Sequence, residues 1–267
     1  MQARYVQTGA GTRGDVRRGE AMLQITPSGP FGKGVHPRMP VSLAELIEDL
    51  RPCFEAGARG VHLHPRDDDG RESLAPRDVN LTVSAVRTLA AECGIEIEVG
   101  LTTGAWIVPD VRSRIAMIAG WEGVDCATVN LSEDGFEEVM AAMRVSGVGI
   151  DVGLWDLSEV DRFVRSGFVP DVQRVSIELG GEPYFPQGDP ADLAAQVNEA
   201  LDAIGCTARR LTHGSGAWTW PLVDDAVRRG HDIRVGFEDS TLLPDGSVAG
   251  SNADLVRAAI DRAAGQR

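Results

Sequence analysis

From Met22 almost to the C-terminus, short apolar runs rich in β-branched residues alternate with longer stretches whose apolar residues recur at helical spacing. Eight runs read as strands: Leu23–Thr26, Gly60–His64, Glu96–Leu101, Cys126–Asn130, Gly149–Leu154, Arg174–Leu179, Arg210–Thr212 and Ile233–Glu238. A segment of helical period follows each of them. Strands alternating with helices are parallel strands joined by crossovers, and eight such units predict an α/β fold, a single (β/α)8 TIM barrel. An open doubly wound sheet is the rival. Its glycine fingerprint is missing, because the candidate Gly214-Ser-Gly216 comes late and lacks the required spacing.

Helix starts support the count. Ser42-Leu-Ala-Glu45 has the form of a capping box, Asp189-Pro190 places an N-cap before a first-turn proline, and Ser251-Asn252-Ala-Asp254 opens the last helix. No linker, repeat or shift of composition divides the chain. Residues 21–267 therefore read as one catalytic barrel domain behind an N-terminal extension, residues 1–20.

Composition narrows the partners. With 267 residues, 43% of them hydrophobic and 25% charged, the chain can build a large core, which excludes disorder. Forty acidic against 26 basic side chains give a formal charge of −14, which argues against nucleic acid or an acidic membrane surface, since phosphates need a basic face. No run of apolar residues is long enough to span a bilayer, and the first residues lack the apolar stretch of a signal peptide, so a cytoplasmic protein is expected. Cys53, Cys93, Cys126 and Cys206 lie far apart without a CxxC pair and read as small buried hydrophobes.

The strongest chemical signal is Val61-His62-Leu63-His64-Pro65-Arg66-Asp67-Asp68-Asp69-Gly70. On a strand, His62 and His64 share one face while Val61 and Leu63 take the other. Two imidazoles at the C-terminal end of a barrel strand stand where barrel enzymes place their sites, and neutral imidazole is a common ligand of zinc. By itself an HxH pair fits one core and one surface histidine equally well. Here it ends a strand, and Pro65 stops ladder pairing behind it.

A catalytic zinc usually takes a third protein ligand. The best candidate is the end of the eighth strand, Arg234-Val235-Gly236-Phe237-Glu238-Asp239, where the apolar run stops at two carboxylates. Glu238 shares the face of Arg234 and Gly236, and Gly236 leaves room for a bulky neighbour. A helix cap by Asp239 or Ser240 with Glu238 in solvent is the plainer alternative. Hydroxyl donors and bare glycine backbone gather at further strand ends, in Thr26-Pro-Ser28-Gly29, Thr102-Thr103-Gly104 and Thr128-Val-Asn130. Such groups suit a carboxylate or phosphate oxygen. His213, after the seventh strand, is expected on the same rim.

The segments GARGVHLHPRDDDGRESL (57–74), GLTTGAW (100–106), DCATVNL (125–131) and GHDIRVGFEDSTLLPDGSVAGSNADLVRAA (230–259) resemble, in that order, the β-keto acid cleavage enzymes. The resemblance implies a zinc-dependent TIM barrel, commonly tetrameric, that condenses a β-keto acid with acetyl-CoA and releases acetoacetate and a new acyl-CoA. It also implies that His62, His64 and Glu238 hold the zinc, that Asp239 with Arg234 manages the proton, and that Thr102, Thr103, Gly104, Thr128 and Asn130 hold the substrate's oxygens. Ser28 and His213 complete the expected substrate contacts. Asp239 would serve as the base if partial burial raised its pKa.

The chain also departs from that family. Members acting on amino-bearing substrates usually carry an acidic residue just after the first strand's glycine, where this chain reads Gly29-Pro30-Phe31. A second acidic position is replaced within Asp151-Val-Gly-Leu-Trp155-Asp156, and His213 with Trp218-Thr-Trp220 replaces a more aliphatic segment. The expected pocket residues Pro30, Phe31, Trp106, Trp155, Trp218 and His213 are mostly apolar. Two other readings of the site are a zinc hydrolase of amidohydrolase type and a non-catalytic barrel that binds an acyl ligand. The first needs further histidines from mid-barrel strands, and strands five and six offer none.

Overall fold

The structure is a computed structural model that describes residues 21–180 and 188–265, so the expected extension over residues 1–20 lies outside the described residues. The strands are β1 (Leu23–Ile25), β2 (Gly60–Leu63), β3 (Glu98–Thr102), β4 (Cys126–Asn130), β5 (Gly149–Leu154), β6 (Arg174–Leu179), β7 (Arg209–Gly214) and β8 (Asp232–Val235). Alternating with them are the helices α1 (Leu43–Ala56), α2 (Pro76–Glu92), α3 (Val111–Ile118), α4 (Phe136–Ser146), α5 (Glu159–Ser166), α6 (Pro190–Ala203), α7 (Thr219–Arg229) and α8 (Asn252–Gly265). Every neighbouring strand pair is parallel, and β8 pairs with β1 through Leu23↔Ile233, which closes the expected eight-stranded barrel.

Two sets of side chains divide the strands. Ile25, Val61, Leu63, Val99, Leu101, Val152 and Ile177 are buried in the apolar core, where the outward face of a barrel strand meets the helices. The interior set is polar instead: Arg174 donates to Asp151 at 2.7 and 3.0 Å and also to Glu98, while Arg209 bridges Glu98 and Asp232 at 3.1 and 2.6 Å. Buried charges survive only when paired and hydrogen-bonded, and these are. The network forms a rigid floor under the C-terminal mouth.

Local signals act as expected at the helix starts. Ser42 Oγ accepts from Glu45 N, Asp189 accepts from Ala191 N and Asp192 N, and Ser251 Oγ accepts from Asp254 N. Glu45 reaches back to Val41 N at 3.0 Å, one residue earlier than a strict capping box requires.

Strand ends differ from the periodicity for physical reasons. β2 stops at Leu63 because Pro65 has no N–H for the ladder. β3 begins at Glu98 because Ile95 N is still bonded to Ala90 O at 3.0 Å. β8 ends at Val235, not Glu238, since Gly236 at φ 155° crosses the β1 backbone so closely that a Cβ would lie 2.0 Å from Thr26 O. The room left by Gly236 is therefore filled by Thr26, and Glu238 reaches the mouth on a turn. Among the described residues no helix is long and apolar enough to cross a membrane.

Candidate active site and metal centre

His62 and His64 leave the end of β2 with ring centroids 5.2 Å apart, and both are buried. Glu238 comes to them from the turn after β8, so that one ligand atom from each of the three residues lies within 4.8 Å of the others. Among the described residues this is the group able to hold a metal ion. The donor chemistry fits a divalent cation. His64 Nδ1 is 2.6 Å from Glu72 Oε1, which directs Nε2 inward, where it lies 3.7 Å from Glu238 Oε1. Burial, reinforced by Arg234, keeps the His62 pKa well below its ordinary value, so the ring is the neutral imidazole that a metal binds.

Glu238 is seated by three residues from the loop after β1 and from β8. Thr26 donates to its Oε2, Arg234 Nη2 lies 2.6 Å from its Oε1, and a Cβ on Gly29 (φ 52°) would fall 2.4 Å from its Cγ. Glycine at position 29 is therefore required by both backbone conformation and the carboxylate's approach. The preceding residue is pinned as well. Phe237 N donates to Asn252 Oδ1 at 2.8 Å, and Asn252 Nδ2 donates to Pro27 O and Asp49 Oδ2 at 2.9 and 2.8 Å.

Asp239 stands beside the triad, gripped by Arg234 through Nε to Oδ2 at 3.1 Å and Nη2 to Oδ1 at 3.0 Å. Its pKa corrects the sequence expectation. Burial is complete enough to raise it, yet the adjoining Arg234 guanidinium and His213 outweigh burial and hold the carboxyl well below its usual range. Asp239 is a carboxylate at neutral pH without any upward shift. Glu238 is held low likewise, burial being outweighed by Arg234, His64 and His62.

His213 is 3% exposed and lies behind Asp239, with Nδ1 3.4 Å from Asp239 Oδ1 and Nε2 3.3 Å from Glu178 Oε1. Burial and Arg234 push its pKa down, but the two carboxylates outweigh them and raise it to about 8.

The rim residues have their hydrogens largely committed to one another and to nearby carboxylates. Thr103 Oγ1 donates to Thr128 O at 2.8 Å, and Thr128 Oγ1 donates to Asp151 Oδ2 at 3.3 Å. Thr102 Oγ1 accepts from Gly104 N at 3.1 Å and keeps its own hydrogen to give. Asn130 bridges Glu133 and Trp155 at 3.0 and 3.3 Å, over Gly153, where a Cβ would meet its Oδ1 at 2.5 Å. Ser28 is buried and closes a turn by accepting from Phe31 N through its carbonyl at 3.1 Å. Trp106 covers Gly104, stacks at 6.2 Å on His64 and donates to Glu72 at 3.1 Å. Trp220, in contrast, is buried under the β8–α8 loop, donating to Leu242 O at 2.9 Å.

Sequence reasoning missed Glu72, Glu178 and Asn252, and it placed Thr26 among the hydroxyl donors of the rim without its bond to Glu238. The turn signal Asp67-Asp-Asp-Gly70 was available for Glu72: Asp67 Oδ1 accepts from Asp69 N and Arg71 N, and the chain returns through the Arg66↔Glu72 bridge to His64. Arg66 ties that loop to the first one by donating to Gly29 O and Phe31 O at 3.0 and 2.6 Å.

A family model for beta-keto acid cleavage enzymes matches residues 20–266. The 3-keto-5-aminohexanoate cleavage enzyme of Acetoanaerobium sticklandii is 23% identical over 233 residues, covering 83% of each chain. The 3-oxoadipate:acetyl-CoA acetyltransferase of Cupriavidus necator is 25% identical over 245 residues, covering 88% of this chain and 84% of the other. Among solved structures, apo ObcA superposes with a TM-score of 0.64 at 18% identity over 86% of this chain, which spans 62% of the ObcA chain. That likeness concerns the fold.

Proposed function

Because the chain belongs to the β-keto acid cleavage enzyme family, we propose that it is a zinc-dependent acyltransferase that condenses a β-keto acid with acetyl-CoA and releases acetoacetate and a new acyl-CoA. The name of the Cupriavidus necator relative supports acetyl-CoA as the second substrate. The observation that carries the reading is the adjacency of a metal-competent triad, His62, His64 and Glu238, to a carboxylate held two-handed by Arg234.

A Zn²⁺ bound by the triad supplies Lewis-acid polarisation of the keto oxygen and so makes the neighbouring C–H more acidic. The chain's residues do the rest. Asp239 takes the proton from the α-carbon, and Arg234 keeps its carboxylate aimed and ionised. Thr102 donates to a substrate oxygen, Thr103, Gly104, Thr128 and Asn130 shape the cradle around the carboxylate and keto group, and Ser28 lines the opposite lip. The α-carbon then bonds to the thioester carbonyl of acetyl-CoA and the CoA thiolate leaves. That thiolate adds to the original keto carbon, and cleavage of the bond between the α-carbon and the original keto carbon yields the new acyl-CoA. The electron pair remains on acetoacetate, which recovers the proton from Asp239.

Incubating the metal-replete protein with acetyl-CoA and a panel of β-keto acids, with products identified by mass, tests this function. A new acyl-CoA is expected from at least one acid. Release of a free carboxylic acid with CoA unmodified would instead mark a hydrolase.

A further inference from the structure

His213 is a buried polar side chain whose cost needs a reason. Among the described residues, neither ring nitrogen meets hydrogen-bond geometry with a partner, although carboxylates lie 3.4 Å from Nδ1 and 3.3 Å from Nε2. An aliphatic residue would fill this position without leaving polar atoms short of partners. The placement is built from two directions. The β6–β7 register sets Glu178 directly opposite His213, and Gly216 N, in the loop that follows β7, donates to Asp239 O at 2.7 Å. The segment carrying His213 is thus fastened to the backbone of the residue that its side chain faces.

The contacts on Asp239 are unequal. Oδ1 faces both Arg234 Nη2 at 3.0 Å and His213 Nδ1 at 3.4 Å, whereas Oδ2 receives, among the described residues, Arg234 Nε alone at 3.1 Å. We propose that His213 is a positioning residue which, oriented by Glu178, covers Oδ1 of Asp239 and leaves Oδ2 as the oxygen that exchanges the proton with substrate. The proposal rests on the reading of Asp239 as the base. It places His213 behind that base and gives it no direct hold on the substrate.

Two substitutions separate the ring's ends. In His213→Asn the amide donor stands at the distance of Nδ1 and still faces Asp239; in His213→Gln it stands at the distance of Nε2 and faces Glu178. His213→Gln is expected to lower kcat roughly 10- to 100-fold, the scale of a misplaced reacting group, with KM within about twofold and metal content intact. His213→Asn is expected to turn over at least about fivefold faster than the Gln variant. Equal kcat for the two variants, or a loss that appears in KM, would overturn the proposal in favour of packing or substrate contact. A second readout needs neither activity nor a folded His213 variant: in ¹⁵N-histidine-labelled protein the His213 Nδ1 resonance should move on Asp239→Asn. An unmoved resonance would also overturn the proposal. If wild type cleaves no β-keto acid, the proposed reaction fails, while this resonance still reports whether His213 engages Asp239.

Discussion

Glu72 Oε1 lies 2.6 Å from His64 Nδ1 and also accepts from Trp106, so a loop carboxylate, an exposed indole and a candidate metal-binding histidine form one unit. Carboxylates behind metal-bound histidines fix the tautomer and strengthen the ligand, and their loss typically costs about 10- to 100-fold in metal affinity. Glu72→Gln is accordingly expected to weaken zinc binding by about that factor while the barrel stays folded. Competition with a chelator measures it, and wild-type affinity in the variant would detach Glu72 from the site.

Asp239→Asn should leave metal content and thermal stability close to wild type and lower kcat by about 10²- to 10⁴-fold, the usual contribution of a positioned base. Arg234 retains an amide oxygen to hold, so the loop need not move. Wild-type turnover by the Asn variant would reduce Asp239 to an anchor for Arg234 and Gly216.

Substrates with an uncharged tail should react with kcat/KM at least about tenfold higher than matched amino-bearing ones, on ~1.4 kcal/mol of unpaired charge. Among the described residues, the carboxylates that could receive an ammonium near the mouth already face other groups. Asp151 is taken by Arg174 and Ser176, Glu178 by His213, Glu72 by His64 and Trp106, and Asp156 caps Ser158 N. Phe31 and Trp106 add exposed apolar surface. Steady-state kinetics on matched pairs decide it, and preference for the amino compound would refute the assignment.

Asp49 makes stability depend on pH. Burial raises its pKa to about 6 despite the hydrogen bond from Asn252, so the folded chain binds a proton that the unfolded chain, at 3.8, releases. Stability contributed by this residue is therefore lost as pH rises between those values. Asp49→Asn should raise stability at pH 8 by on the order of 1–3 kcal/mol and by much less at pH 4. Equal gains at both pH values in denaturant titrations would show that the ionisation of Asp49 does not matter.

Much of the frame was legible because period-two alternation is local. β4, β5 and β6 begin and end where their apolar alternation does. The pairing of His62 with His64 and the return of Glu238 were also readable, since a shared strand face and a strand end are properties of neighbouring residues. What escaped is contact between separate elements: Glu178 meets His213 through the register of neighbouring strands, and Asn252, at the start of the last helix, meets Phe237 and Pro27. The pKa of Asp239 was misjudged for the same reason. Burial could be anticipated, but the two-handed grip of Arg234 that outweighs it exists only in three dimensions.

The proposed reaction is tested most directly by isotope. With acetyl-CoA carrying ¹³C in both acetyl carbons and an unlabelled β-keto acid, the zinc-loaded wild type is expected to give acetoacetate labelled at C3 and C4, together with an unlabelled new acyl-CoA. His62→Ala, stripped of metal, is expected to give neither. Label found in the new thioester, acetoacetate without label, or undiminished turnover by His62→Ala would contradict acyl transfer at the His62, His64 and Glu238 centre.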